Sequence, residues 1–103
     1  MKTKRAKACD IPQAVKKKVW ERDGARCIIC GNPTAMPNAH FISRAQGGLG
    51  IPENIVTLCH NCHYAYDNTD RRVIYREKIK GYLRGVYGAE WSEENLVYKK
   101  FSD

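Results

Sequence analysis

The spacing of apolar positions changes along the chain, and each change marks an element. Val15 and Val19, with Trp20 alongside, recur at helical spacing opposite Lys16, Lys17, Lys18 and Arg22. Asp10-Ile11-Pro12 offers a cap candidate and a proline for the first turn, and Asp23-Gly24 closes the segment. Cys27 to Gly31 reads as a tight turn and Asn32 to Asn38, with two prolines, as loop. Ala39 to Ile42 is expected as one short strand and the β-branched run Ile55-Val56-Thr57-Leu58 as another. The glycines between them make residues 43–54 an irregular loop, with Gly47 and Gly48 as turn residues. A second helix is expected from near Cys59 through His63 to about Asp67.

A longer helix follows, from about Arg71 to Val86, with Ile79, Tyr82, Leu83 and Val86 as its apolar stripe. Arg72, Arg76, Lys80 and Arg84 recur every four residues and share one face, which is either a solvated side or a row for a phosphate backbone. The tail, with Trp91, Leu96, Val97, Tyr98 and Phe101, is expected to pack back. Residues 1–9 are polar and basic with no apolar face, so residues 1–10 read as a flexible or loosely docked arm. Residues 11–103 then form a single domain, with a core at 19–68 and a helical extension at 70–103.

Composition narrows the class. The 103 residues are 43% apolar and 28% charged, which suits a globular protein and neither a disordered nor a membrane chain. No apolar run is long enough to span a bilayer, and the basic start leads into no signal-peptide core. A cytoplasmic protein is the expectation. The net charge of +7 favours polyanionic partners, of which nucleic acid is the commonest. So short a chain also buries little surface, which makes a bound metal a natural source of stability.

The cysteines supply a place for one. Cys27 and Cys30 form one Cys-x-x-Cys pair and Cys59 and Cys62 another, while Cys9 stands alone as a spare thiol. Two such turns facing each other make a closed tetrahedral site of four sulfurs, which suits a structural Zn2+. A redox dithiol would need a thioredoxin-like βαβ setting, and the pattern here has none.

The three histidines are His40, His60 and His63. His63 and Asp67 lie four residues apart on the expected helix and face the same way, so they can share one divalent cation. His40 lies on the first expected strand and can take a proton from water near neutral pH. His60 reads as a surface residue. Taken together these residues could form a phosphodiesterase centre.

The motifs also resemble a known family. Val19-x-x-Arg22-Asp23-Gly24-x-x-Cys27-x-x-Cys30-Gly31, then Ala39-His40-Phe41-Ile42-Ser43-Arg44-x-x-Gly47-Gly48, then Glu53-Asn54-Ile55-Val56-Thr57-Leu58-Cys59-x-x-Cys62-His63 follow the order and spacing of HNH endonucleases. The resemblance covers roughly residues 11 to 68, and the tail with Tyr82-Leu83, Tyr87 and Trp91 is similar to that of small phage-type members. It implies an α+β fold: a ββα-metal finger, with flanking N- and C-terminal helices, stapled by the four-cysteine zinc site. It implies His40 as general base, Asn54 as the residue bracing the loop and helping to orient that base, and His63 as a ligand of a catalytic divalent ion. Asp67 occupies a further ligand position, and Mg2+ or Mn2+ is the implied ion. Arg44 is placed to meet the phosphate backbone, with Arg72, Arg76 and Lys80 as further DNA-binding candidates. The resemblance also implies a bacterial or phage-infected cell. Partners implied are DNA and, for a phage-type protein, packaging or restriction proteins; the chain could act as a monomer or a homodimer.

One position departs from the pattern. Where many members carry Asp, His or Glu before the base histidine, this chain has Ala39, which cannot bind metal. Water, substrate oxygens or Asn38 would have to fill that place. A zinc-stabilised DNA-binding module without cleavage is the competing reading, and an accessory protein of a phage packaging or restriction complex is a third.

Overall fold

In the computed structural model, which describes residues 3–99, a two-stranded antiparallel hairpin carries the site. Two helices precede it, α1 (Lys4–Cys9) and α2 (Gln13–Arg22). The strands are β1 (Ala35–His40) and β2 (Ile55–Cys59), and two further helices follow, α3 (His60–Asn68) and α4 (Arg72–Tyr87). The architecture is the expected α+β finger: hairpin, helix and flanking helices.

Strand β2 is buried along its whole length because it lies against both α2 and α3, so its Ile-Val-Thr-Leu run need not alternate. Strand β1 starts four residues earlier than its sequence suggests, despite Pro37. Ala35 pairs with Cys59 and Met36 with Leu58, then the register shifts before Ala39 pairs with Val56 and His40 with Ile55. That irregularity contains Pro37 and Asn38. A bulge is where a strand tolerates a residue without an N–H. Phe41 continues the pairing through its N–H to the Asn54 carbonyl at 2.7 Å.

Residues 4–9 are helical rather than a loose arm. Good helix formers follow Thr3, whose hydroxyl accepts from the Ala6 N–H at 3.0 Å. Asp10 therefore ends α1 instead of capping α2, and Pro12 takes the N-cap position of α2. Met1 and Lys2 at the start, and Phe101 in the tail, lie outside the described residues.

The core gathers under the hairpin, where Phe41, Leu58, Tyr66, Ile79, Leu83 and Leu96 are each at least 99% buried. Each such side chain contributes about 1.5–3 kcal/mol by leaving water. From the expected stripe of α4, Ile79 and Leu83 are buried and Tyr82 half-buried, but Val86 is exposed. Val86 instead sits at the rim of a shallow groove beside Lys18 and Arg22.

The tail folds back as expected within the described residues. Val97 bridges Gly48, the Leu96 carbonyl accepts from the Leu49 N–H at 2.7 Å, and Trp91 Nε1 donates to the Glu53 carbonyl at 2.8 Å. No helix among the described residues is long and apolar enough to cross a membrane.

Arg22 and Asp23, read from sequence as a basic surface position and a helix end, form a knot beneath the hairpin. Arg22 donates to both Asp23 oxygens, at 2.7 and 3.2 Å, and to the carbonyls of Pro52 and Ile55, both at 2.7 Å. Its remaining bond goes to the Tyr87 hydroxyl at 3.0 Å. Asp23 also accepts from the Thr57 N–H at 2.8 Å and the Tyr82 hydroxyl at 2.5 Å. Burial, and then the bond to Asp23, push the Tyr82 phenol up to about 12.

Candidate metal centre and active-site cleft

The two Cys-x-x-Cys turns meet. The sulfurs of Cys27, Cys30, Cys59 and Cys62 all lie within 4.8 Å of one another, and Cys30 and Cys59 are 3.6 Å apart. The first turn is closed by Gly31 N–H to Cys27 carbonyl at 2.9 Å, with Gly31 at φ +79°, a conformation that favours glycine. The second sits at the start of α3, where Cys59 is the N-cap and its sulfur accepts from the Cys62 N–H.

The thiols are unequal. Burial pushes Cys27 up, but backbone N–H groups of Cys30, Cys59 and Ile29 outweigh it and bring the thiol to about 7. Burial, and then the sulfurs of Cys59 and Cys27, push Cys62 up. One anion among four sulfurs disfavours the next, and a divalent cation removes that conflict. The donor set is compatible with a structural metal such as zinc. Cys9 is buried elsewhere and takes no part.

Beyond this corner, the end of β1, the loop after it, α3 and the start of α4 border an open cleft of about 890 Å³. His40, Asn38, Arg44, His63, Asp67 and Arg72 all line it, with Asp10 and Lys16 from the N-terminal side. Residues distant in the sequence thus share one cavity. His63 Nε2 and Asp67 Oδ2 are 3.0 Å apart, and both side chains are part-exposed. Ligands at about 2.1 Å from a cation and at right angles lie about 3 Å apart, so this pair already has the spacing of two octahedral neighbours. Asn38 also lines the cleft, and its Oδ1 is buried with no hydrogen-bond partner among the described residues. Ala39 is wholly buried in the core and offers nothing. The residues present therefore fit a divalent ion.

His40 is half-buried, and its Nε2 lies 2.9 Å from the Cys9 carbonyl. Burial lowers its pKa, and the positive Arg44 assists, against the opposing effect of the hydrogen bond that the Cys9 carbonyl accepts. The shift favours the neutral imidazole. Arg44 donates to the same Cys9 carbonyl at 2.9 Å and pairs with Asp10 at 2.8 Å.

Asn54 is fully buried and braces the loop: its Oδ1 accepts from the Ile42 N–H at 2.8 Å, and its Nδ2 donates to the carbonyls of Ile42 and Leu49. His60 is exposed. Tyr66, which none of the sequence motifs singles out, donates its hydroxyl to the Phe41 carbonyl at 2.6 Å and so pins α3 to the strand end beside His40. Its only sequence signal is its position three residues after His63, on an adjoining helix face.

The basic row of α4 divides. Arg72 lies over the Tyr66 ring at 4.7 Å and faces the cleft. Arg76 lies over Phe41 at 4.8 Å and pairs with Glu93, which also pairs with Lys80 at 3.1 Å. Arg84 is exposed. Two of the four thus tie the tail to the helix rather than standing in solvent.

The segment that carries this geometry, residues 27–69, matches the family model described as HNH endonuclease. Residues 27–69 are similar to an HNH domain. The matched HNH segment contains all four clustered cysteines and His40, Asn54, His63 and Asp67. A Nostoc sp. (strain PCC 7120) protein named Anaredoxin is similar, at 28% identity over 58 residues, covering 55% of this chain and 76% of that protein. No solved structure matches the chain.

Proposed function

We propose that this chain is a metal-dependent endonuclease that hydrolyses DNA phosphodiester bonds at the His40 cleft. The observation that carries the reading is the convergence, around the segment that matches the HNH model, of a half-buried histidine, a His/Asp pair at cation-sharing distance and two arginines on one cavity. His40 accepts a proton from water as the water oxygen bonds to phosphorus and the bridging P–O bond breaks. His63 and Asp67 would hold Mg2+ or Mn2+, with Asn38 Oδ1 supplying the oxygen that Ala39 lacks. When bound, such an ion supplies Lewis acidity for the developing charge on the phosphate and leaving group. Arg44 and Arg72 hold the phosphate oxygens, and Lys16 adds positive charge at the rim. Arg76 and Lys80, paired with Glu93, play a smaller part in DNA binding.

The test is cleavage of supercoiled plasmid by zinc-loaded protein with added magnesium or manganese, beside His40→Ala. The expected result is nicking or linearisation by the wild type and a loss of at least about 100-fold in the variant. Equal cutting by both would refute the base assignment. A second reading, DNA binding without cleavage, draws on the buried Ala39. It takes the lead if neither protein cuts under any divalent ion while both retain salt-sensitive DNA affinity.

A further inference from the structure

The N-terminal helix reaches into the cleft, and what it delivers there is backbone. Cys9 is the last residue of α1, and the last carbonyls of a helix have no partner within it. The Cys9 carbonyl accepts from Arg44 Nη1 at 2.9 Å and lies 2.9 Å from His40 Nε2. Its side chain is buried, which anchors that end of the helix. A carbonyl oxygen only accepts hydrogen bonds, so a neutral His40 in this contact carries its proton on Nε2. Nδ1 keeps the lone pair.

We infer that α1 is a positioning element of the cleft: the Cys9 carbonyl sets the ring orientation and tautomer of His40, leaving Nδ1 as its basic nitrogen. The catalytic consequence rests on the nuclease reading, whereas the tautomer itself does not. A six-residue helix has no stability of its own, so α1 depends on tertiary contacts, and besides the buried Cys9 and the bond from Arg44 it rests on a seat. The seat is the 45–50 loop. Gly50 N–H donates to the Ala8 carbonyl at 2.9 Å, and Arg5 Nη2 donates to the Ala45 carbonyl at 2.9 Å. At Gly50 the backbones approach so closely that an added Cβ would lie 1.8 Å from the Asp10 carbonyl oxygen. The loop braced by Asn54 therefore aligns the base indirectly, by holding the helix that holds His40.

This arrangement can be disturbed without touching His40, a metal-binding residue or the DNA-facing arginines. Gly50→Ala forces the end of α1 away, and Arg5→Ala loosens its seat with no clash, which covers the case in which Gly50→Ala fails to fold. Zinc-loaded proteins labelled with 15N at histidine are compared by NMR, free of DNA and of added divalent ion, above the pH at which His40 titrates. Amide exchange of residues 6–10 shows in each variant that α1 has loosened. The wild type is expected to show Nε2 protonated and Nδ1 bare. The loosened variants are expected to move toward a mixture of tautomers. Their kcat on plasmid should fall about tenfold or more with KM changed by less than about twofold, because orientation rather than binding is lost. A wild-type His40 protonated on Nδ1, or an unchanged His40 signature once α1 amides exchange freely, overturns the inference. Absence of cleavage by the wild type would overturn the nuclease reading instead, and the NMR result would still decide the role of Cys9.

Discussion

Two acid–base side-chain pairs in this small molecule use similar chemistry for opposite ends. In the Arg22–Asp23 pair every guanidinium N–H has an acceptor, and the carboxylate accepts from Arg22, Thr57 and Tyr82. With that inventory spent, the pair can hold the hairpin, α4 and the following loop together but can bind nothing else. The His63–Asp67 pair is part-exposed and lines the cleft together with Asn38, whose Oδ1 has no hydrogen-bond partner among the described residues. Its bonding capacity is unspent. Saturation marks the charged groups that build the fold, and spare capacity marks those available to a ligand.

The largest effect is expected at the cysteine corner. Structural zinc contributes about 10–16 kcal/mol of apparent binding free energy in small domains, which exceeds the about 5–15 kcal/mol stability of typical domains. A strong chelator should therefore abolish the helical circular dichroism signal, and added Zn2+ should restore it. Persistence of the fold without metal would assign its stability to the Arg22–Asp23 knot and the core.

The next effect separates the two pairs directly. Asp23→Ala leaves Arg22 buried without its carboxylate and should cost about 3–5 kcal/mol in urea unfolding. His63→Ala should stay within about 0.5 kcal/mol of the wild type while losing the response to magnesium or manganese. Equal destabilisation by both would erase the distinction between them.

The smallest effect concerns Glu93. Burial pushes its carboxyl up, but Lys80 and Arg76 outweigh burial and hold it below the ordinary value. A depressed folded-state pKa gives stability that is present above the unfolded pKa and lost as pH falls through the folded one. Because these side chains are about one-third exposed, the contribution should stay under about 1 kcal/mol. The difference in melting temperature between wild type and Glu93→Gln should accordingly shrink as pH is lowered from about 6 toward the folded-state pKa. A difference that does not change with pH would mean the pairs contribute no charge-dependent stability.

The order of residues by itself determines whatever short-range spacing decides. The three-residue step of each cysteine pair makes a ligand-bearing turn, the four-residue step puts His63 and Asp67 on one helix face, and the Ile55–Leu58 run declares its strand. Resemblance to the family singled out His40 as the base and added Asn54, and no local pattern describes the surroundings of either. The misplaced start of β1 is a case where a proline's usual penalty is absorbed by a bulge, which depends on the partner strand.

Tertiary structure alone decided the rest. It buried Arg22 and Asp23, engaged Arg76 and Lys80 with Glu93, and brought the Cys9 carbonyl to His40 across 31 residues of chain. Helix and strand periods are properties of the local backbone and so leave a trace in the order of residues. Which distant carbonyl meets a given imidazole, or which arginine finds a carboxylate, depends on how whole elements pack, and no short window of sequence contains that.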